Sequence, residues 1–178
     1  MQKAKLGLLG AACAAMLTFA ATDAYAIEER DVQVAARTFG FVDGMPSGTI
    51  EVAIVYDPAI AESSAEADEL AGILGGGLKA GKHTLTSKKV AVGDVGSIGT
   101  KVAFVTAGMA SHHQTIFDSV KTKNVFTFTK DFSCLSSKLC VLAVETKPSV
   151  RIEISNDAAT ASGLAFGQAL KMMVKMKD

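Results

Sequence analysis

The stretch VFTFTKDFSCLSSKLCVLAVETKPSVRIEISNDAATASGLAFGQA, residues 125–169, decides the fold. Val125–Thr129 predicts a strand, and a loop carrying Cys134 and Cys140 follows. Val141–Val144 is nearly all apolar, which predicts a strand buried on both faces. A polar turn containing Lys147-Pro148 leads into Val150–Ile154. There Val150, Ile152 and Ile154 alternate with Arg151 and Glu153, the pattern of a half-buried strand nearer an edge. Asn156 or Asp157 can then cap a closing helix. Ala161, Leu164, Ala165, Ala169, Met172 and Met176 recur along it at helical spacing. Strand, pinned loop, hairpin and closing helix form a unit that needs more sheet from upstream.

Upstream segments supply it. Residues 28–43 read as a helix with an apolar stripe of Val32, Ala35, Ala36, Phe39 and Val42. Thr49–Tyr56 is a core strand, broken by Asp57-Pro58. Ser63-x-x-Glu66 reads as a capping box for a helix with Ala67, Leu70, Ala71, Leu74 and Leu78 on one face. Gly75-Gly76-Gly77 ends that helix. Thr84–Thr86 and Val90–Val95 are short strands about a turn at Ser87-Lys88-Lys89, and Val102–Thr106 is a second buried strand. Ser111 and Gln114 can cap a helix that buries Ile116, Phe117 and Val120. This alternation predicts a single three-layer α/β domain, with a mixed, mostly parallel sheet and helices on both faces. The strand from Val150 is its expected antiparallel member.

Lys3 and Lys5 precede an apolar run, Leu6–Ala21, and then Ala24-Tyr25-Ala26. That is the pattern of a secretory signal peptide over residues 1–26, cleaved after Ala26. Cys13 does not make a lipoprotein site, because Gly10 stands where a bulky aliphatic residue belongs. Residues 27–178 are then one domain, placed in the periplasm. No further apolar run is long enough to cross a bilayer, so no stable membrane insertion is expected after cleavage. The whole chain balances 18 basic against 18 acidic residues. It has neither a basic field for nucleic acid nor an acidic tail. Cys134 and Cys140 alone remain after cleavage and, in an oxidising compartment, read as a disulfide. A redox pair or a metal pair fits the C-x5-C spacing poorly. A bridge over so short a loop contributes roughly 2–3 kcal/mol in the chain-entropy model.

Candidate chemistry is sparse. GGLKAGK at Gly76–Lys82 matches the first part of a phosphate loop. However, His83 replaces the hydroxyl residue, and the glycines follow a helix rather than a strand. Adjacent His112 and His113 point about 100° apart on a helix and have no acidic or cysteine partner at helical spacing, so a solvated helix start is the better account. Met172, Met173 and Met176 could offer thioethers to copper, but their periodicity continues the Leu164 and Ala169 stripe and favours packing. No nucleophile elbow or metalloprotease motif is present. The expectation is a protein that is not an enzyme and has no cofactor and no metal.

Phe126-Thr127-Phe128-Thr129, Arg151-Ile152-Glu153-Ile154-Ser155-Asn156, Ala158-Ala159, Gly163-Leu164 and the helix at Leu170 follow one another in an informative order. This series resembles the C-terminal half of the YfiR family, small periplasmic proteins that restrain membrane-bound diguanylate cyclases. Ala36–Pro46 resembles that family's opening helix and its Phe-x-x-Trp-Pro corner, with Met45 in place of the Trp. Thr100-Lys101 stands where many members carry Cys-His, so a second disulfide is missing. The resemblance implies a disulfide in the Cys134–Cys140 loop. It also implies a non-enzymatic regulator that binds the periplasmic part of an inner-membrane diguanylate cyclase and restrains cyclic di-GMP signalling; a homodimer is compatible with it. Near-neutral charge favours contact through apolar surface, namely Phe132, Leu135 and Leu139 of the pinned loop and Met173 of the closing helix. Arg151 and Glu153 read as a surface ion pair or as a polar rim for a partner or ligand, Glu153 matching a family Glu by position. The rival is a small periplasmic solute-binding module for a transporter. Its ligand would sit at strand carboxyl ends, near Asp57-Pro58, Ala107-Gly108 and Lys130-Asp131.

Overall fold

A computed structural model describes residues 27–178; the signal-peptide reading, residues 1–26, lies outside them. The described chain begins with α1 (Glu29–Phe39), β1 (Gly48–Tyr56) and α2 (Ala61–Leu74). A hairpin of β2 (Leu78–Ala80) and β3 (His83–Ala91) follows, then a 3-10 turn at Val92–Ser97 and β4 (Val102–Val105). Next come α3 (His113–Val120), β5 (Phe126–Thr129), α4 (Phe132–Ser136), β6 (Leu142–Glu145) and β7 (Arg151–Ser155). α5 (Asn156–Ala161), α6 (Gln168–Met173) and β8 (Lys175–Lys177) close the chain.

These strands form one sheet in the order β2-β3-β1-β4-β5-β6-β7-β8. The five strands from β3 to β6 in that order are mutually parallel. β2 pairs antiparallel with β3, β7 antiparallel with β6, and β8 parallel with β7. The strand that begins after Val150 is thus antiparallel to its hairpin partner, as its alternation and polar turn predicted.

Continuous apolar runs place β1 and β4 in the middle of the sheet, where both faces must be covered. Ile50, Val52 and Ile54 of β1 face one core layer, while Ala53 and Val55 face the other. β4 divides in the same way, Val102 and Phe104 against Ala103 and Val105. The first layer is closed by α1, α2, α5 and α6 through Phe39, Leu70, Ala158 and Leu170. The second is closed by Val95, by Ile116 and Val120 of α3, and by Cys134 of α4. The crossover from β1 to β3 runs one way along the sheet and the crossover from β4 to β5 the other. Crossovers of one hand must therefore use opposite faces, which makes three layers.

Several local readings are corrected. Ser87-Lys88-Lys89 is not a turn: β3 pairs in parallel with β1 from Gly48↔His83 to Tyr56↔Ala91 without a break. Its polar residues are tolerated near the sheet edge, where Lys89 pairs with Asp68 at 2.5 Å and lies over the Tyr56 ring. Ser63 and Glu66 lie inside α2, whose N-cap is Ile60, and so form no capping box. Gln114 does not cap α3 either; it donates to Asp118, one turn on, at 2.9 Å. The closing helix breaks in two. Ser155, not Asn156 or Asp157, caps α5, accepting from Ala158 N at 3.2 Å. Gly163 then turns left-handed (φ 64°), and Leu164 N donates to Ala159 O at 2.9 Å, a helix stop of the Schellman kind. A Cβ at Gly163 would fall 2.4 Å from Asn124 Nδ2, so a side chain there must displace Asn124 as well as adopt a left-handed backbone. The last residues form β8 rather than a helix, and Met172 is left 82% exposed, off the packing stripe.

Candidate functional site

The pinned segment folds as a helix. Asp131 Oδ1 accepts from Ser133 N at 2.7 Å and starts α4, which turns Cys134 and Leu135 inward. Cys134 and Cys140 are disulfide-bonded with Cα atoms 5.4 Å apart. Leu135 is 1% exposed and belongs to the interior, so it presents no surface to a partner. Leu139 is half-buried against both core layers. Phe132 is half-buried, with the Arg151 guanidinium 3.7 Å from its ring centroid. The expected open apolar loop is absent because a helix, unlike a loop, has an inward face that its own apolar residues can fill.

Glu153 is not on a solvated face, which corrects the surface-pair reading. It is buried, and its carboxylate meets Arg151 Nη2 at 3.0 Å, Lys177 Nζ at 2.9 Å and Lys175 Nζ at 3.4 Å. Burial alone would raise its pKa, but the hydrogen bonds from Lys177 and Arg151 outweigh it and hold the carboxyl below its ordinary value. Both lysines come from β8, pairing Glu153↔Lys175, so the burial follows from the strand that replaced the end of the closing helix.

Beside this cluster, α1, β7 and α6 enclose an open groove of about 790 Å³. Val34, Phe41, Ile152 and Met173 line it, together with Arg30 and Arg37. Val150 (51% exposed) and Met173 (63%) line it; Met172 (82%), next in sequence to Met173, does not. These three are the large exposed hydrophobic side chains among the described residues.

A second constellation stands at the carboxyl ends of the parallel strands. Strand order reverses between β1 and β4, which opens a crevice at their ends. Ser63 of α2 reaches into it, accepting from Asp57 N at 2.9 Å and sharing a hydrogen bond with the Thr106 hydroxyl at 2.7 Å. Glu66 Oε2 accepts from Ala107 N at 2.5 Å, and its other carboxyl oxygen has no partner. Burial raises the Glu66 pKa to about 7, against the Ala107 amide and the charge of Lys130. His112 Nε2 is 2.9 Å from Asp57, and His113 Nε2 is 3.6 Å from Asp131. His113 is buried, and that burial lowers its pKa despite Asp131. Neither histidine is merely a solvated helix start. Lys130 Nζ lies 3.3 Å from Asp31 of α1, which also accepts from the Thr146 hydroxyl at 2.7 Å. The structure thus gathers Asp57, Ala107-Gly108 and Lys130-Asp131 at one end of the sheet, where the parallel pattern puts them.

No protein-family model matches this chain, and no curated protein does. Solved structures do match. An ABC domain from Streptococcus pneumoniae, solved in complex with L-Trp, superposes with a TM-score of 0.54 at 12% identity, over 71% of this chain and 54% of its own. A conserved domain protein from Vibrio cholerae superposes with a TM-score of 0.58 at 13% identity, over 84% of this chain and 60% of its own. The likeness is one of fold. This chain spans little more than half the length of either structure.

Sequence reasoning missed the interior role of Glu66, the burial of Glu153 and the aspartate partners of both histidines. The partners lie 55 and 18 residues from their histidines, beyond any helical spacing. A usable signal did exist for α2. Ser63 and Glu66 follow the Asp57-Pro58 break at once, so the first turns of that helix must face the strand ends.

Proposed function

We propose that this protein is a non-enzymatic periplasmic regulator that binds the periplasmic part of an inner-membrane diguanylate cyclase and restrains cyclic di-GMP signalling. The groove between α1, β7 and α6 carries this reading, because two of the three large exposed hydrophobics among the described residues, Val150 and Met173, line it. Apolar surface gathered in one place marks a contact site, whereas scattered single residues do not. Met and Arg, both present here, are enriched at interface cores. The contact surface is therefore Val150, Ile152, Met173 and the outer side of α1, with Arg151 and Glu153 beside it. The YfiR-like residue series ends in β7 and α6, two of the three walls. Among the described residues no helix is long and apolar enough to cross a membrane. A periplasmic address fits that observation and the disulfide. The rival reading, a solute-binding module for a transporter, draws on the strand-end crevice and on the likeness to an ABC domain solved with L-Trp.

The test is a Val150→Asp, Met173→Asp double variant expressed in the native host. Both side chains are more than half exposed, so folding should be spared. Cyclic di-GMP should rise while abundance of the exported protein stays level. Unchanged signalling from a stable, exported double variant overturns the reading.

A further inference from the structure

A cavity of about 440 Å³ opens at the carboxyl ends of β4, β5 and β6, under the first turn of α2. It shares no lining residue with the apolar groove. Its size is at the lower end of the ~300–1,000 Å³ common for small-ligand sites. Its walls are charged unevenly. Glu62, Asp131 and Glu145 supply carboxylates, and Lys130 supplies the one ammonium of its lining. That ammonium is matched within the protein by Asp31, which is buried. Asp131 receives no full countercharge from His113, which burial keeps toward its neutral form. The side chains of Glu62 and Glu145 make no hydrogen bond or ion pair among the described residues. The cavity is thus short of positive charge.

A separate observation points the same way. Glu66 is 4% exposed, and its Oε1 has no hydrogen-bond partner. Its Oε2 is bonded to the amide of Ala107, a lining residue, so this carboxyl lies directly behind the cavity wall. Gly108 lines the cavity in a left-handed conformation. At φ 73° it passes so close to α2 that a Cβ would meet Ile60 at 3.0 Å and Glu62 Oε2 at 3.4 Å. Phe132 also lines it.

We propose that this cavity is a binding site for a small organic cation, whose ammonium group is held by Glu62 and Glu145 with the Glu66 carboxyl behind them. The site is independent of the partner groove, so loss of one leaves the other standing. It sits where open α/β sheets bind ligands, outside the carboxyl ends of the strands next to a reversal of strand order. A charged ligand of this kind binds less tightly as salt rises, because screening weakens its attraction to exposed carboxylates.

Calorimetric titration of the purified protein with putrescine, choline, the uncharged diol of putrescine's chain length, and succinate tests this. At least one of the two cations should bind, neither the diol nor succinate should, and added salt should weaken the binding. Glu62→Gln with Glu145→Gln should weaken it by about tenfold or more. Glu62 is exposed and Glu145 half-buried, and an unchanged unfolding midpoint for the double variant shows that its fold is intact. Binding by neither cation, preference for succinate, or undiminished cation binding by the folded double variant overturns the assignment.

Discussion

Glu66→Gln should stabilise the protein near pH 8 and do little near pH 5. The Glu66 carboxyl is buried behind Ala107, and burial lifts its pKa from 4.5 to about 7. Between those values the folded protein holds a proton that the unfolded chain has released. Where the native state binds more protons, stability falls as pH rises. At ~1.4 kcal/mol per pH unit, the whole gap corresponds to about 3 kcal/mol, fully expressed only above the folded pKa. Near pH 5 the native carboxyl is protonated and the unfolded one only partly protonated, so the penalty there is below ~1 kcal/mol. Glutamine keeps an oxygen for the Ala107 amide and removes the charge. Its own NH₂ then needs a partner, which trims the expected gain near pH 8 to about 2 kcal/mol. Urea unfolding of both proteins at the two pH values measures it. His83 and His113, whose pKa values are lowered chiefly by burial, act in the opposite sense: their stabilising contribution is lost as pH falls below the ordinary 6.5. That contribution cancels in the difference between variant and parent. The reasoning fails if the variant is the less stable protein near pH 8, or if the difference is the same at both pH values.

Gly163→Ala should lower stability by ~1–3 kcal/mol, since it combines a left-handed backbone with a 2.4 Å approach to Asn124; an unchanged urea midpoint would show that α5 ends for another reason. Glu153→Ala should cost ~1–3 kcal/mol near neutral pH by leaving Arg151, Lys175 and Lys177 facing one another without their shared anion. Because the folded Glu153 carboxyl titrates below its ordinary 4.5, the parent should lose that advantage as pH falls through the folded value, and the two unfolding curves should converge in acid.

The sheet was legible because its signal is local. Val52–Val55, Val102–Val105 and Val141–Val144 are apolar on both faces, and a run of that kind has one stable place, the middle of a covered sheet. The Arg151–Glu153 alternation likewise announced a hairpin partner. Boundaries failed where a local pattern had two solutions. The stripe from Ala161 to Met176 fits a helix by spacing alone. It does not reveal that Gly163 turns left-handed and stops the helix there, with Asn124, a residue 39 positions earlier, donating to its carbonyl. Local polarity misled in the same way at Ser87-Lys88-Lys89, where pairing along the whole of β1 overrode turn propensity.

The place of Asp57, Ala107-Gly108 and Lys130-Asp131 was legible from the parallel pattern, but the pairings at that end were not, because the partners are distant in sequence. Asp31 meets Thr146 across 115 positions, Ser63 meets Thr106 across 43, and Glu66 meets Ala107 across 41. No spacing rule on one element can detect such pairs. Topology supplies what spacing cannot. Once β1, β4, β5 and β6 are parallel neighbours, the residues just beyond each strand must share one end of the sheet. Asp57, Thr106-Ala107-Gly108, Lys130-Asp131 and Glu145-Thr146 are then neighbours whatever their separation. α1 joins this end to the groove, since Arg30 lines the groove while the adjacent Asp31 holds Lys130 and Thr146. Polar groups buried at such a junction must be paired or be in reach of something that pairs with them. Ser63, Thr106 and Asp31 are paired within the protein, whereas Glu66 Oε1 and His113 Nε2 are buried at this end without a hydrogen-bond partner.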